Sequence, residues 1–187
     1  MARVTHNALL RGLSGKLGGL VIRQVGDQTI VSAAEAPGQR APRSLKQQAH
    51  LDRMYRAQLY AKAQLRDPAA RALYATGITA RCTSAYTVAI ADYMKAPVIT
   101  CLKINGYHGQ PGDKIQVLAT DNFAVTAVHI CIRHPNGALL EEGPATPAPD
   151  GSWCYTAAVR QVLRPGTSIT ATVYDRPGNA TTQTALL

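Results

Sequence analysis

GLSGKLGGLVIRQVGDQTIVS, residues 12–32, reads as a glycine-rich lead-in followed by a β-hairpin. Residues 20–25 and 28–31 are rich in β-branched side chains, which suit a pleated strand, and Gly26-Asp27 separates the two runs. Two residues of that type between such runs signal a tight hairpin, with glycine first favouring a type II′ turn. Leu20 and Ile22 point to one face and Val21 and Val25 to the other, so both faces are apolar. The chain then turns helical, so no neighbouring strand follows, and an isolated hairpin is marginal in water. It is therefore expected to pack on its own helices, on the chain's later strands or on a second copy. Residues 1–11 read as an arm whose order depends on a partner.

Beyond Pro37 and Pro42 the period becomes helical. Ser44-Leu-Lys-Gln47 fits a capping box, in which the serine oxygen takes an amide three residues on and the glutamine reaches back. That helix is expected to run to about Arg66. Leu51, Tyr55 and Leu59 step by four along one face with Met54 and Leu65 beside them, while Lys46, His50, Arg53 and Arg56 fall largely outside. Asp67-Pro68 ends it and starts a second helix, since Asp suits an N-cap and Pro the first helical position. Gly77 is the expected stop. A third helix is expected over residues 83–95, with Ala85, Val88, Ala89 and Asp92 on a mixed surface.

Ala96-Pro97 marks a change to two-fold periodicity. Strands are expected near residues 98–104, 114–120, 127–133, 138–142, 152–158, 168–174 and 181–186. Turn sequences separate them, among them Gly109-Gln-Pro-Gly112, Pro135-Asn-Gly137, Pro149-Asp-Gly151, Arg164-Pro-Gly166 and Arg176-Pro-Gly-Asn179. Seven short strands at this spacing predict an antiparallel β-sandwich. Its core would take Val128, Ile130 and Ile132, then Ile169, Ala171 and Val173, then Trp153 or Tyr155. The expected fold class is thus α+β. Residues 1–96 form a basic hairpin-and-helix assembly region, and residues 97–187 form the sandwich.

Charge follows the same division. The net charge is +9. Residues 1–95 hold 14 Lys and Arg against 5 Asp and Glu, whereas residues 96–187 hold 6 of each. An acidic partner would therefore meet the first half. The four cysteines, Cys82, Cys101, Cys131 and Cys154, are scattered singly and read as reduced, mostly buried side chains. No secretory signal is evident near the N-terminus and no run approaches eighteen apolar residues, so a cytoplasmic origin with no membrane contact is expected.

Two resemblances add to this reading. Ala119-Thr-Asp-Asn122, residues 125–132 and Ala171-Thr-Val-Tyr-Asp-Arg-Pro-Gly-Asn179 resemble bacterial immunoglobulin-like domains, in which a comparable corner links the last two strands. That likeness covers about ninety residues. It implies that the sandwich is a seven-stranded immunoglobulin-like domain serving adhesion, spacing or display. The first half is similar to uncharacterised bacterial proteins that open with Ser14-Gly15-Lys16-x-Gly18, a hairpin and a helix. The stretch from Arg43-Ser44-x-x-Gln47-Gln48 to Tyr60-Ala61-Lys62 resembles the helix of phage-type virion and tail-associated proteins. It departs from them in carrying Tyr55 where a phenylalanine is usual; the chain's one Phe is Phe123. This second likeness implies a structural particle or filament.

Chemistry is sparse. Gly15-Lys-Leu-Gly-Gly19 lacks the spacing of a phosphate loop and precedes its strand, so it reads as a turn. His129 and Cys131 share one face of a strand, and His134 and Cys154 would be needed to complete a metal set; without a close-spaced pair they read as core or interface residues. A Cys–His nucleophile would need an orienting third group. Glu141 and Glu142 are adjacent, so on a strand they face opposite ways. The tyrosines 55, 60, 74, 86 and 93 read as packing residues with a polar tip. No catalytic, cofactor-binding or metal-binding residue is assigned, and no cofactor is expected.

The expected function is therefore a non-enzymatic structural protein that self-assembles into a filament, ring or tail-like particle and displays its sandwich. The candidate interface is Leu20, Ile22, Val25, Ile30 and Val31 of the hairpin with Leu51, Tyr55 and Leu59 of the helix. A contact between unlike surfaces gives rings or open filaments. The alternative is sequence-tolerant binding of nucleic acid, or of an acidic protein surface, with Arg40, Arg43, Lys46, Arg53 and Arg56 as candidate phosphate contacts.

Overall fold

Main-chain pairing rather than side-chain pattern organises the start of the chain. The computed structural model describes residues 2–4, 13–25, 28–34 and 42–187. The chain divides into two compact units, Met1–Ser44 and Leu45–Leu187. The expected boundary at residues 96 and 97 falls inside the second.

In the first unit, β1 (Ala2–Val4), β2 (Gly15–Leu17), β3 (Leu20–Val25) and β4 (Gln28–Ala33) form one antiparallel sheet in the order β1-β4-β3-β2. The central hairpin is the expected one, with Val25 opposite Gln28; its Gly26-Asp27 turn lies outside the described residues. The expectation that the hairpin stands without a neighbouring strand is corrected. Strands from its own chain line both edges, and residues 2–4 of the supposed partner-dependent arm pair with β4, Ala2 opposite Val31. Edge pairing draws on backbone N–H and C=O groups, so Ala-Arg-Val and Gly-Lys-Leu need no apolar alternation to join. Leu17 opposite Leu20 leaves Gly18-Gly19 as a two-residue turn, and Gly18 takes a φ of 57°, in the left-handed region that glycine enters without a Cβ penalty.

The second unit opens with α1 (Leu45–Gln64), α2 (Pro68–Ala75) and α3 (Ala85–Met94). Asp67 caps α2 by accepting from the amides of Ala69 and Ala70, with Pro68 in the first turn. Ser84 and Thr87 form a capping box that starts α3, one the sequence reading passed over. Helix α1 packs on α3, burying Ala57 and Ala61 completely. Small side chains on that face let the helices approach closely, and Tyr60, Tyr74, Val88 and Ala89 fill the cluster with Phe123 from the sheet region.

Eight strands follow: β5 (Val98–Lys103), β6 (Lys114–Thr120), β7 (Val125–Arg133), β8 (Leu139–Pro144), β9 (Thr146–Pro147), β10 (Trp153–Thr156), β11 (Ser168–Asp175) and β12 (Ala180–Leu186). They form two four-stranded antiparallel sheets, β5-β6-β10-β9 and β12-β11-β7-β8. The strand beyond the seven expected is the two-residue β9, too short for a pattern to reveal. One core joins both sheets. Ile115, Val117 and Tyr155 come from the first, and Val128, Ile130, Ile132, Ile169, Ala171 and Val173 from the second. These alternate with outward residues as the two-fold period predicts, and each fully buried Val or Ile contributes roughly 1.5–3 kcal/mol. Tyr155 is the buried aromatic of its strand, while Trp153 is half-buried at the core's margin. The chain as a whole is α+β, and no described helix is long and apolar enough to cross a membrane.

Candidate functional site

The candidate interface residues of the hairpin divide between the two faces of the first sheet. Cross-strand partners share a face, and Ile22 stands opposite Val31 while Arg23 stands opposite Ile30. Leu20, Ile22 and Val31 therefore lie on one face, Val25 and Ile30 on the other. Ile22 is 5% exposed, whereas Leu20 and Val25 are 45% and 58% exposed. Ile30 and Val31 are half-buried. Ile22 is accordingly already a core residue of the single chain. Leu13 and Leu17, which the sequence reading did not single out, are also exposed.

On α1 the structure separates two apolar faces. The helix packs inward through Ala57 and Ala61, and the stripe of Leu51, Tyr55 and Leu59 stays 41%, 63% and 49% exposed. The larger side chains dominate any hydropathy pattern, yet the alanines fit the close approach to α3.

Of the candidate phosphate contacts, Arg40 lies outside the described residues, and Arg43 and Lys46 are exposed. Arg53 and Arg56 are brought together. They line a cleft of about 430 Å³ with Ala49 and Asp52 of α1, Tyr93 of α3 and Asn179 of the β11–β12 turn. Asp52 stands four residues before Arg56 but accepts a hydrogen bond from Gln48 Nε2 at 3.3 Å.

A separate polar cluster is buried among the helices. Tyr60 and Tyr74 share a hydrogen bond between hydroxyls at 2.8 Å, and Tyr74 donates to Asp92 Oδ2 at 2.7 Å. Asp92 is fully buried, and its Oδ1 has no hydrogen-bond partner among the described residues. Burial raises its carboxyl from the ordinary 3.8 to about 6; Asp121 and Asp175 push it the same way, against the Tyr74 hydrogen bond and Arg176. Burial likewise raises the hydroxyls of Tyr74 and Tyr60. The Tyr74 ring stacks on Phe123 with centroids 4.8 Å apart, and Arg176 sits 6.0 Å from its centroid. Sequence reading placed Asp92 on a mixed surface. The available signal was that it is the one charged residue of α3, three and four residues after Ala89 and Val88.

Asn179 ties the helices to the second sheet. Its backbone and side-chain N–H groups each donate to Asp175 at 2.6 Å, and Nδ2 also lies 3.2 Å from Tyr93 O and 3.3 Å from Lys95 O. Thr181 Oγ1 donates to Pro97 O at 2.6 Å. The corner sequence that carried a resemblance thus occupies the carbonyls at the end of α3.

The remaining reactive residues are dispersed. His129 and Cys131 alternate with the buried Val128, Ile130 and Ile132. All four cysteines are free and half-buried, less buried than expected. No group of three or more His, Cys, Asp or Glu is placed to hold a metal ion among the described residues. Glu141 is buried and accepts from the Ala158 amide at 2.6 Å, and Glu142 is exposed, so the adjacent pair is split between inside and outside. No protein-family model matches the chain, and no curated protein matches it either.

Proposed function

We propose that this chain is a non-enzymatic structural protein that assembles with copies of itself through its N-terminal sheet and α1, and displays its paired β-sheets. The observation that carries the reading is the division of labour on α1. Alanines satisfy packing within the chain, which leaves Leu51, Tyr55 and Leu59 as a line of large apolar side chains facing water. Contiguous exposed apolar surface of this kind marks interaction sites. Leu17, Leu20 and Val25 supply a second exposed set on the N-terminal sheet, whose outer strands β1 and β2 offer backbone groups for strand addition. The displayed part is an immunoglobulin-like sandwich in this reading. The order β5-β6-β10-β9 and β12-β11-β7-β8 supports that assignment, as does the Asp175–Asn179 corner between its last two strands. A filament, ring or tail-like particle follows if the two contact surfaces differ.

Leu51→Asp with Leu59→Asp is the direct test. Both positions are exposed, so the charges should leave the melting temperature of the single chain nearly unchanged while they disperse assemblies seen by sedimentation and negative-stain microscopy. Assemblies that survive the double substitution would remove α1 from the interface. Ile22→Asp is unsuitable, because its burial within the chain would confound misfolding with disassembly.

A further inference from the structure

We propose that the cleft between α1, the end of α3 and the β11–β12 turn binds a phosphate group, with Arg53 and Arg56 as its ligands. The inference goes beyond assembly and stands whether or not the chain self-associates. Arg53 and Arg56 lie three apart on α1, hence on neighbouring positions of one helix side, and both line the same cleft. Neither guanidinium has a hydrogen-bond or ion-pair partner among the described residues, and the neighbouring Asp52 accepts from Gln48. Two unpaired guanidiniums present planar donor forks, the geometry that takes phosphate oxygens bidentately.

Asp52 also lines the cleft and keeps its negative charge, so the lining carries two positive charges against one, while other acceptors nearby are held by hydrogen bonds. The Tyr93 and Lys95 carbonyls at the end of α3, and the Asp175 carboxylate, all accept from Asn179. The volume of about 430 Å³ lies in the range of small-ligand sites, larger than inorganic phosphate alone requires. Tyr93 supplies an aromatic surface beside the arginines. The chemistry therefore fits a phosphate carrying an organic group, as in a mononucleotide or one residue of a nucleic-acid strand.

Titration of the full chain with adenosine monophosphate, inorganic phosphate and a short single-stranded DNA, by calorimetry and by ¹H–¹⁵N spectra, tests this. Adenosine monophosphate should bind, shift the Asn179 side-chain signal, and lose at least about tenfold in affinity in Arg53→Gln/Arg56→Gln, which corresponds to about 1.4 kcal/mol. Lys62→Gln, an exposed charge in the last turn of the same helix, should change it little. DNA binding that is tighter than the mononucleotide and equally dependent on both arginines would identify a strand as the source. Mononucleotide binding with no DNA binding would identify a free ligand. Absence of binding by all three probes, or equal binding by the double variant with an unchanged melting temperature, would overturn the proposal.

Discussion

The N-terminal sheet and the paired C-terminal sheets use the same backbone pairing and differ in what their faces meet. Strands β6, β7 and β11 alternate through their buried stretches, and Val128, Ile130, Ile132, Ile169, Ala171 and Val173 are at most 1% exposed. Strands β3 and β4 carry apolar side chains on both faces, and among their large apolar residues Ile22 alone is fully buried. A strand with one apolar face can complete its core within a single chain. One with two apolar faces needs cover on both sides, and here Leu20 and Val25 stay exposed. The same contrast recurs on α1, between its buried alanines and its exposed Leu51–Tyr55–Leu59 line.

The largest expected effect separates the two regions by stability. Ile130→Ala opens space at a fully buried position of that core and should cost roughly 2–5 kcal/mol, read as a fall in the denaturation midpoint. Leu20→Ala on the N-terminal sheet should change stability by no more than about 0.5 kcal/mol in the same measurement. Equal losses would break the comparison.

Next comes pH. Asp92 holds its proton to about pH 6 in the folded chain and to about 3.8 in the ordinary exposed state, so the folded form binds more protons between those values. Its contribution to stability is therefore most favourable below pH 3.8, falls as pH rises toward 6, and is flat above that. The difference is on the order of 3 kcal/mol. Asp92→Asn should flatten that segment of the stability profile, measured by denaturation from pH 4 to 7. An unchanged slope would mean that Asp92 is not the titrating group.

A smaller effect sharpens the account of the corner. Asn179→Ala removes the donor shared by Asp175, Tyr93 and Lys95 and should cost about 1–3 kcal/mol. Asn179→Asp should not restore it, because a second carboxylate would face Asp175.

What was legible in the sequence follows from the same physics. The C-terminal strands could be read because a period of two with Pro-Gly and Asn-Gly turns encodes both pairing and face. Asp67-Pro68 could be read because a cap is local chemistry. Strands β1 and β2 could not, since edge pairing uses the main chain and leaves no mark on side chains. The inward face of α1 was missed because Leu51, Tyr55 and Leu59 outweigh Ala57 and Ala61 in hydropathy, while close packing on α3 favours the smaller residues. Arg53 and Arg56 were named individually, but the cleft that joins them depends on Tyr93 and Asn179, which are 86 residues apart in sequence.

The most direct test of the central claim is the mass in solution of nuclease-treated protein, by light scattering at low and high salt. Assembly through apolar surface predicts multiples of 19.9 kDa that persist at high salt. A 19.9 kDa monomer throughout would contradict it, as would assemblies that dissolve when salt is raised.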